Sequence, residues 1–532
     1  MIQRRSLHRH KVGVGLETKD KIVKIKNTRH LTARSRPTAL HSAELERGGP
    51  PPQGTEKTFI IHQHTNCLLL VALLFSVGLA PFLTGEARGA DDEAVDMIVE
   101  LVSGSDNDMR MLALQQIREK VPGKDATRRF VELLPKLPPD VQVKLIDALG
   151  ERGDATARPV ILEMLNSKTE AIRAMAARAL SGLASPADIP VLANVAATGS
   201  NPEKEAARHS LRQLRGNEMN AAMIEALKSA DAKPRIELIA ALIDRNVKES
   251  VPVVLKSVDD SNLAVRLAVL DALRAMGDEN HTAVLVKRLK SAKDKSERKQ
   301  AALALQATCR RGRTKCAETV IAGFDGADAA TRIFMMRALS SAGGPKSLNE
   351  IVSRLKDDDE GVRVEAVRVL AGWPDPAAIP HLKELARDVK NLRNHVLAIR
   401  GIVRLASPGK DRPADFAALS DAMKLATRKE EKVMVLGTLG TIPTLESLAM
   451  VASGLDHPAI VEDAGFVAVL IAEKISGGNK DQVRAVMQKV AETVQNEKTR
   501  DRAKKVLEAS QPQASTLKPF GIITAEVDAP KS

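Results

Sequence analysis

Apolar and polar positions along the chain repeat in one fixed order. The stretch from Asp259 to Gly277 shows the unit: a capping Asn262, a basic Arg266 four residues later, a small Ala272 and then Leu273. The closing apolar position recurs at Ile117, Leu149, Leu180, Leu211, Leu242, Leu273, Leu305, Leu339, Leu370, Leu439 and Leu507. From Ile117 to Leu370 the separations are 32, 31, 31, 31, 31, 32, 34 and 31 residues. Seven residues before each of these anchors stands Arg110, Gln142, Arg173, Lys204, Arg235, Arg266, Arg298, Arg332, Arg363, Lys432 or Arg500. Residues four and seven apart share one helical face, so each block contains an amphipathic helix with the leucine inward. A side chain able to cap a helix stands four before the basic position at Asp106, Thr169, Ser200, Asp231, Asn262, Asp294, Asp328, Asp359 and Asn496. It places the start of that helix. Pro138 and Arg428 are the exceptions.

Each block also has room for an earlier, shorter helix, as in Val251–Val258 ahead of Leu263–Met276. A period of this size means a solenoid, because one helical pair cannot bury its own apolar face. The position before the anchor is small in six units (Ala148, Ala179, Ala241, Ala272, Ala304, Ala338), so neighbouring helices are expected to approach closely. The units loosen after Trp373. The unit at 390–405 keeps Leu392-Arg393 without the downstream leucine, and the unit at 460–474 lacks the basic residue. Counting both, the sequence predicts an all-α, right-handed α-solenoid of about 13 helical pairs over residues 91–510, with a flexible tail at 511–532.

The steps Val265-Arg266, Ile172-Arg173-Ala-Met-Ala176 and Val362-Arg363-Val-Glu-Ala366 resemble the HEAT-repeat family, and the period is nearest its short PBS-lyase HEAT-like type. The resemblance covers roughly residues 91–510. It implies a structural ladder of the repeating basic residues (Arg110, Arg173, Arg235, Arg266, Arg298, Arg332, Arg363, Arg500). In that family an Asp six residues before the Arg completes each rung. Only Asp260 and Asp357 hold that spacing here, so an interrupted ladder is implied.

Outside the repeats, residues 1–57 carry 13 Lys or Arg against 5 Asp or Glu and no apolar periodicity. Such a segment is expected to be disordered. It is read as an over-extended start ahead of an export signal, with a nucleic-acid-binding tail as the other reading. Residues 58–85 contain no Asp, Glu, Lys or Arg, and Leu68–Leu83 is almost purely apolar. That run is shorter than the roughly 20 residues a membrane-spanning helix needs. With Gly85 and Ala87 spaced as a processing site, residues 58–90 read as a signal-peptide segment. Export to the periplasm or cell envelope follows, the alternative being an anchor at residues 66–83, the chain's one expected membrane contact. Residues 1–90 also account for +8 of the formal +13, so the repeats are near balance and carry no nucleic-acid signature.

The chemistry is sparse. No His-Glu dipeptide, phosphate-binding loop or nucleophile elbow occurs, and His209, His281, His381, His395 and His457 fall in different units. No catalytic residue, metal ligand or cofactor is assigned. Trp373 reads as a plug between repeats. Cys309 and Cys316 bracket a cationic link and form a candidate disulfide for an exported chain. Arg274, Lys299, Arg337 and Arg368, on exposed positions of the second helices, form a candidate face for an unidentified protein partner. The expected function is a non-catalytic protein-binding or scaffolding module. Two other readings stand beside it: a lyase-like or chaperone-like factor for a chromophore-bearing protein, as the PBS-lyase resemblance implies, and a cytoplasmic nucleic-acid binder.

Overall fold

In a computed structural model, the described residues are 87–119, 121–475 and 480–510. The expectations for residues 1–57, the apolar segment at 58–86 and the tail at 511–532 lie outside them. Among the described residues, twenty-six α-helices alternate as first and second members of thirteen pairs. The pairs are α1 (Ala87–Ser103) with α2 (Asn107–Glu119), α3 (Lys124–Leu133) with α4 (Pro139–Arg152), and α5 (Arg158–Met164) with α6 (Glu170–Leu183). Then come α7 (Ile189–Thr198) with α8 (Asn201–Gln213), α9 (Asn217–Leu227) with α10 (Ala232–Asp244), and α11 (Val251–Val254) with α12 (Leu263–Met276). The middle continues with α13 (Thr282–Ser291) and α14 (Lys295–Gly312), α15 (Ala317–Ala322) and α16 (Ala329–Ala342), α17 (Gly344–Ser353) and α18 (Glu360–Ala371). The last four pairs are α19 (Ile379–Arg387) and α20 (Leu392–Ala406), α21 (Phe416–Leu425) and α22 (Lys429–Gly440), α23 (Leu445–Ala452) and α24 (Val461–Ile475), α25 (Lys480–Thr493) and α26 (Glu497–Ala509).

The nine capping residues read from the sequence each stand directly before the first residue of a second helix. Asn262 accepts from the amide of Ala264, Asp328 from Thr331 and Asp359 from Val362, so in these helices a free N–H of the first turn is met by a side chain. Proline enters the first turn of several first helices, where its missing N–H costs nothing. The Val251–Val258 helix is shorter than expected: four α-helical residues continue into a 3₁₀ turn at Leu255–Ser257.

Each second helix packs on the next, forming an unbroken layer, and both layers share one continuous aliphatic core. Ten of the eleven anchors are buried; Leu507 in the last described unit is half-buried. Burying a leucine is worth about 1.5–3 kcal/mol, so this row carries much of the array's stability. The small position before the anchor is buried in all six units named above. Between α4 and α6 the approach is closer still. A Cβ on Gly150 would lie 2.7 Å from the Ala179 Cα, and one on Gly182 would lie 2.3 Å from the Gly150 carbonyl oxygen. Trp373 is fully buried where α18 ends, as the plug reading required. The α-solenoid is therefore the fold.

Candidate partner-binding face

Most charges of the second helices are spent inside the array. The repeating arginines do two things. Most reach back to carbonyls that precede their own helix: Arg266 Nη1 donates to Asp260 O at 2.7 Å, Arg363 Nη1 to Asp357 O at 2.7 Å, and Arg173 Nη1 to Ser167 O at 2.8 Å. Most also reach forward to a carboxylate of the next unit: Arg173 to Glu203, Arg235 to Asp260, Arg266 to Glu297, Arg298 to Asp328, and Arg332 to Asp357 and Asp358. The ladder is thus far more continuous than the Asp spacing implied. Where the Asp six before the Arg is missing, a Glu eight residues before the anchor (Glu203, Glu297) or the capping Asp328 takes the rung. Hydrogen bonds from Arg266, working against burial, and from Arg288 hold the Glu297 carboxyl below its ordinary range. Burial pushes Glu203 upward, but hydrogen bonds from Arg173 and Ser200 outweigh it and leave that carboxyl lowered too.

The loosened unit at 390–405 follows the same plan with a different residue. Taking the buried Ile402 as its anchor, the basic position is His395. Its Nδ1 lies 2.6 Å from Ala386 O of its own unit and its Nε2 lies 3.2 Å from Glu431 Oε2 of the next. Sequence reasoning passed over it because the anchor is isoleucine and the basic residue histidine. One position earlier, Asn394 stands where other units carry the receiving glutamate. Arg363 reaches no carboxylate, and Asn394 Oδ1 is buried without a hydrogen-bond partner among the described residues. Here the ladder has a gap.

A second set of arginines, unforeseen in the sequence, closes helix ends. Arg245 donates to the carbonyls of Arg212 and Leu214, Arg311 to those of Leu273, Arg274 and Gly277, and Arg404 to those of Ala371 and Trp373. These are the orphan carbonyls at the end of the preceding second helix. Burial pulls all three guanidinium groups below their usual pKa. Arg311 belongs to the cationic link between the two cysteines, and Lys315 of that link pairs with Glu279 at 2.6 Å. Cys309 and Cys316 are both buried and both free. The hydrogen bond from Cys309, opposed by burial and helped by Thr282, draws the Cys316 thiol down, while Cys309 is pushed up.

The four cations proposed for partner binding differ in how free they are. Arg337 donates to Glu365 at 2.7 Å, Arg368 lies 3.5 Å from the same carboxylate, and Arg274 lies 3.8 Å from Asp271. Lys299 is exposed and has no ion pair among the described residues; Glu297, two positions earlier, is taken by Arg266 and Arg288. Shallow depressions open on the second-helix layer, two of which each reach across three helices. One of about 480 Å³ lies across α4, α6 and α8, floored by Val143, Ala174 and Met175 beside Arg178 and His209. The other, of about 490 Å³, lies across α18, α20 and the start of α22. Among the described residues there is no cluster of three or more His, Cys, Asp or Glu able to hold a metal, and no helix is long and apolar enough to cross a membrane.

Comparison with known families finds HEAT repeats at residues 127–212, 220–306 and 317–400. No curated protein matches the chain. Among solved structures, the chain is similar to Kap121p bound to Pho4p, with 14% identity over 79% of this chain and 53% of that one and a TM-score of 0.45. It is also similar to Kap121p bound to Ste12p, with 14% identity, 85% and 57% coverage and a TM-score of 0.47. The chain spans little more than half the length of those karyopherins.

Proposed function

Because the chain is a HEAT-repeat protein, we propose that it works as a non-catalytic protein-binding scaffold whose docking surface is the exposed side of its second helices. One observation carries this reading. The arginines and carboxylates between the helices are consumed by the ladder and by helix-end closure, whereas the outer side of the same helices keeps shallow apolar-floored depressions edged with cations. Many weak contacts along such a layer sum to useful affinity without any deep pocket. A photo-reactive residue at Val396 or Ala174, on that layer, should crosslink a partner protein in cells. One at Val191, exposed on first helix α7, should not. Equal crosslinking from Val191 would refute the assignment of the face.

The compartment proposed is outside the cytoplasm, on the strength of the uncharged apolar run at 68–83 and the small residues after it. The mature chain should then begin between Pro81 and Asp91, which mass spectrometry of its N-terminus reads directly. Recovery of the basic residues 1–57 on a soluble cytoplasmic protein would overturn the export proposal.

A further inference from the structure

We propose that the depression across α18, α20 and the start of α22 binds an extended acidic segment of a partner protein through paired carboxylates and one aliphatic side chain. The proposal rests on the scaffold reading above and names the chemistry one part of that face accepts. The wall is cationic: Arg368, Arg393, Arg400 and Arg428 all line the depression. The floor is aliphatic, made by Leu392, Val396 and Leu397 of α20. Leu392 is 49% exposed.

The charge around this floor is unbalanced. Helix α20 reads Leu-Arg-Asn-His-Val-Leu-Ala-Ile-Arg-Gly-Ile-Val-Arg-Leu-Ala and holds no carboxylate. Arg404 of that helix is committed to the carbonyls of Ala371 and Trp373. Arg393 and Arg400 are exposed and make neither an ion pair nor a side-chain hydrogen bond among the described residues. The nearby carboxylates are already engaged: Glu365 receives Arg337 and Arg368, and Glu431 receives Arg428 and His395. The ladder gap at Arg363 and Asn394 removes one more negative charge from this junction. Two unpaired guanidinium groups flanking an exposed aliphatic strip complement carboxylates flanking a leucine-type side chain, and Arg is suited to grip carboxylates with two bonds at once. A single-stranded nucleic acid fits less well, since no aromatic ring lines the depression to stack a base.

The test uses the full chain and fluorescein-labelled synthetic peptides, read by anisotropy. One peptide alternates glutamates with leucine, a second has serine for every leucine, and a third has lysine for every glutamate. The glutamate-leucine peptide should bind wild type and weaken as salt rises. The variant Arg393→Glu/Arg400→Glu should lose at least about tenfold in affinity, as charge reversal at a desolvating contact does. The control Arg310→Glu/Arg313→Glu, in the cationic link elsewhere, should keep it. The serine peptide should bind several-fold more weakly, because it leaves the aliphatic strip uncovered. Loss of binding that is equal in both charge-reversed variants, or equal binding of the serine peptide, would reduce the effect to general attraction for polyanions and overturn the proposal. Displacement by single-stranded DNA better than by the glutamate-leucine peptide would overturn it in favour of nucleic acid. If no peptide binds while crosslinks still form from Ala174, this site is wrong and the scaffold reading stands. If crosslinks also fail, the scaffold reading itself falls.

Discussion

Glu297→Gln tests whether the ladder stabilises through charge. In the native fold the Glu297 side chain is 1% exposed and receives Arg266 through Nε at 2.9 Å and Nη2 at 3.0 Å, with Arg288 donating to the same carboxylate. The substitution preserves shape and leaves two guanidinium groups facing a neutral amide. Removing one partner of a buried pair costs about 3–5 kcal/mol. Arg266 is 16% and Arg288 15% exposed, so water reaches both, and the lower end of that range is expected. The pH dependence fixes the sign. A carboxyl held below its ordinary value of 4.5 contributes stability that is fully present above that value and is lost as pH falls through the folded value. Calorimetry should therefore show wild type well above the variant at neutral pH and the two converging in acid. Replacing the whole cluster (Arg266→Met, Arg288→Met, Glu297→Leu) should recover much of the loss, because no buried charge is then left unpaired. A difference that is absent at neutral pH, or that persists unchanged in acid, would refute the electrostatic account.

Three further outcomes are expected. Leu273→Ala, at a fully buried anchor, should cost about 2–5 kcal/mol and split the melting transition, since damage in a repeat array stays near its site; an unaltered melting profile would reject the register. Gly182→Val should destabilise by about 1–3 kcal/mol or more by forcing α4 and α6 apart, whereas Gly104→Ala, with no atom nearer than 3.5 Å to its added carbon, should be close to neutral in the same denaturant titration. Because the hydrogen bond from Cys309 lowers the Cys316 thiol while Cys309 is raised, Cys316 should be alkylated before Cys309 at neutral pH in sub-denaturing urea, and peptide mapping showing equal rates would count against that assignment.

The repeat was legible because burial acts at one spacing: the anchor leucines and capping residues alone place most second helices to the residue. The interrupted units hid for physical reasons. Ile402 packs as a leucine anchor does, and His395 meets the same two acceptors as an arginine, but neither matches the pattern by residue type. The rungs were misjudged because the receiving carboxylate can come from the turn, the cap or the first turn of the helix, all of which reach one point in space from different sequence positions. Closure of helix ends by Arg245, Arg311 and Arg404 leaves no sequence signal at all, since the acceptors are backbone oxygens more than thirty residues away. The candidate face was only half visible. Arg368 was in view, but the freedom of Arg393 and Arg400 depends on where every neighbouring carboxylate has gone.

The gap at Arg363 and Asn394 also has a mechanical meaning. An array whose units touch only their neighbours behaves as a chain of springs in series, and its compliance is set by the softest joint. Most joints of the central stretch are cross-braced by an ion pair from one unit to the next, while this joint relies on Arg404, the buried Trp373 and aliphatic packing. Under tension or torsion from a bound partner, the array is expected to flex there first, between α18 and α20. Asn394→Glu, by supplying the missing brace to Arg363, should stiffen it, which force spectroscopy would register as a higher first yield point. The proposed docking depression straddles this same joint, so a ligand seated across it would act as a splint.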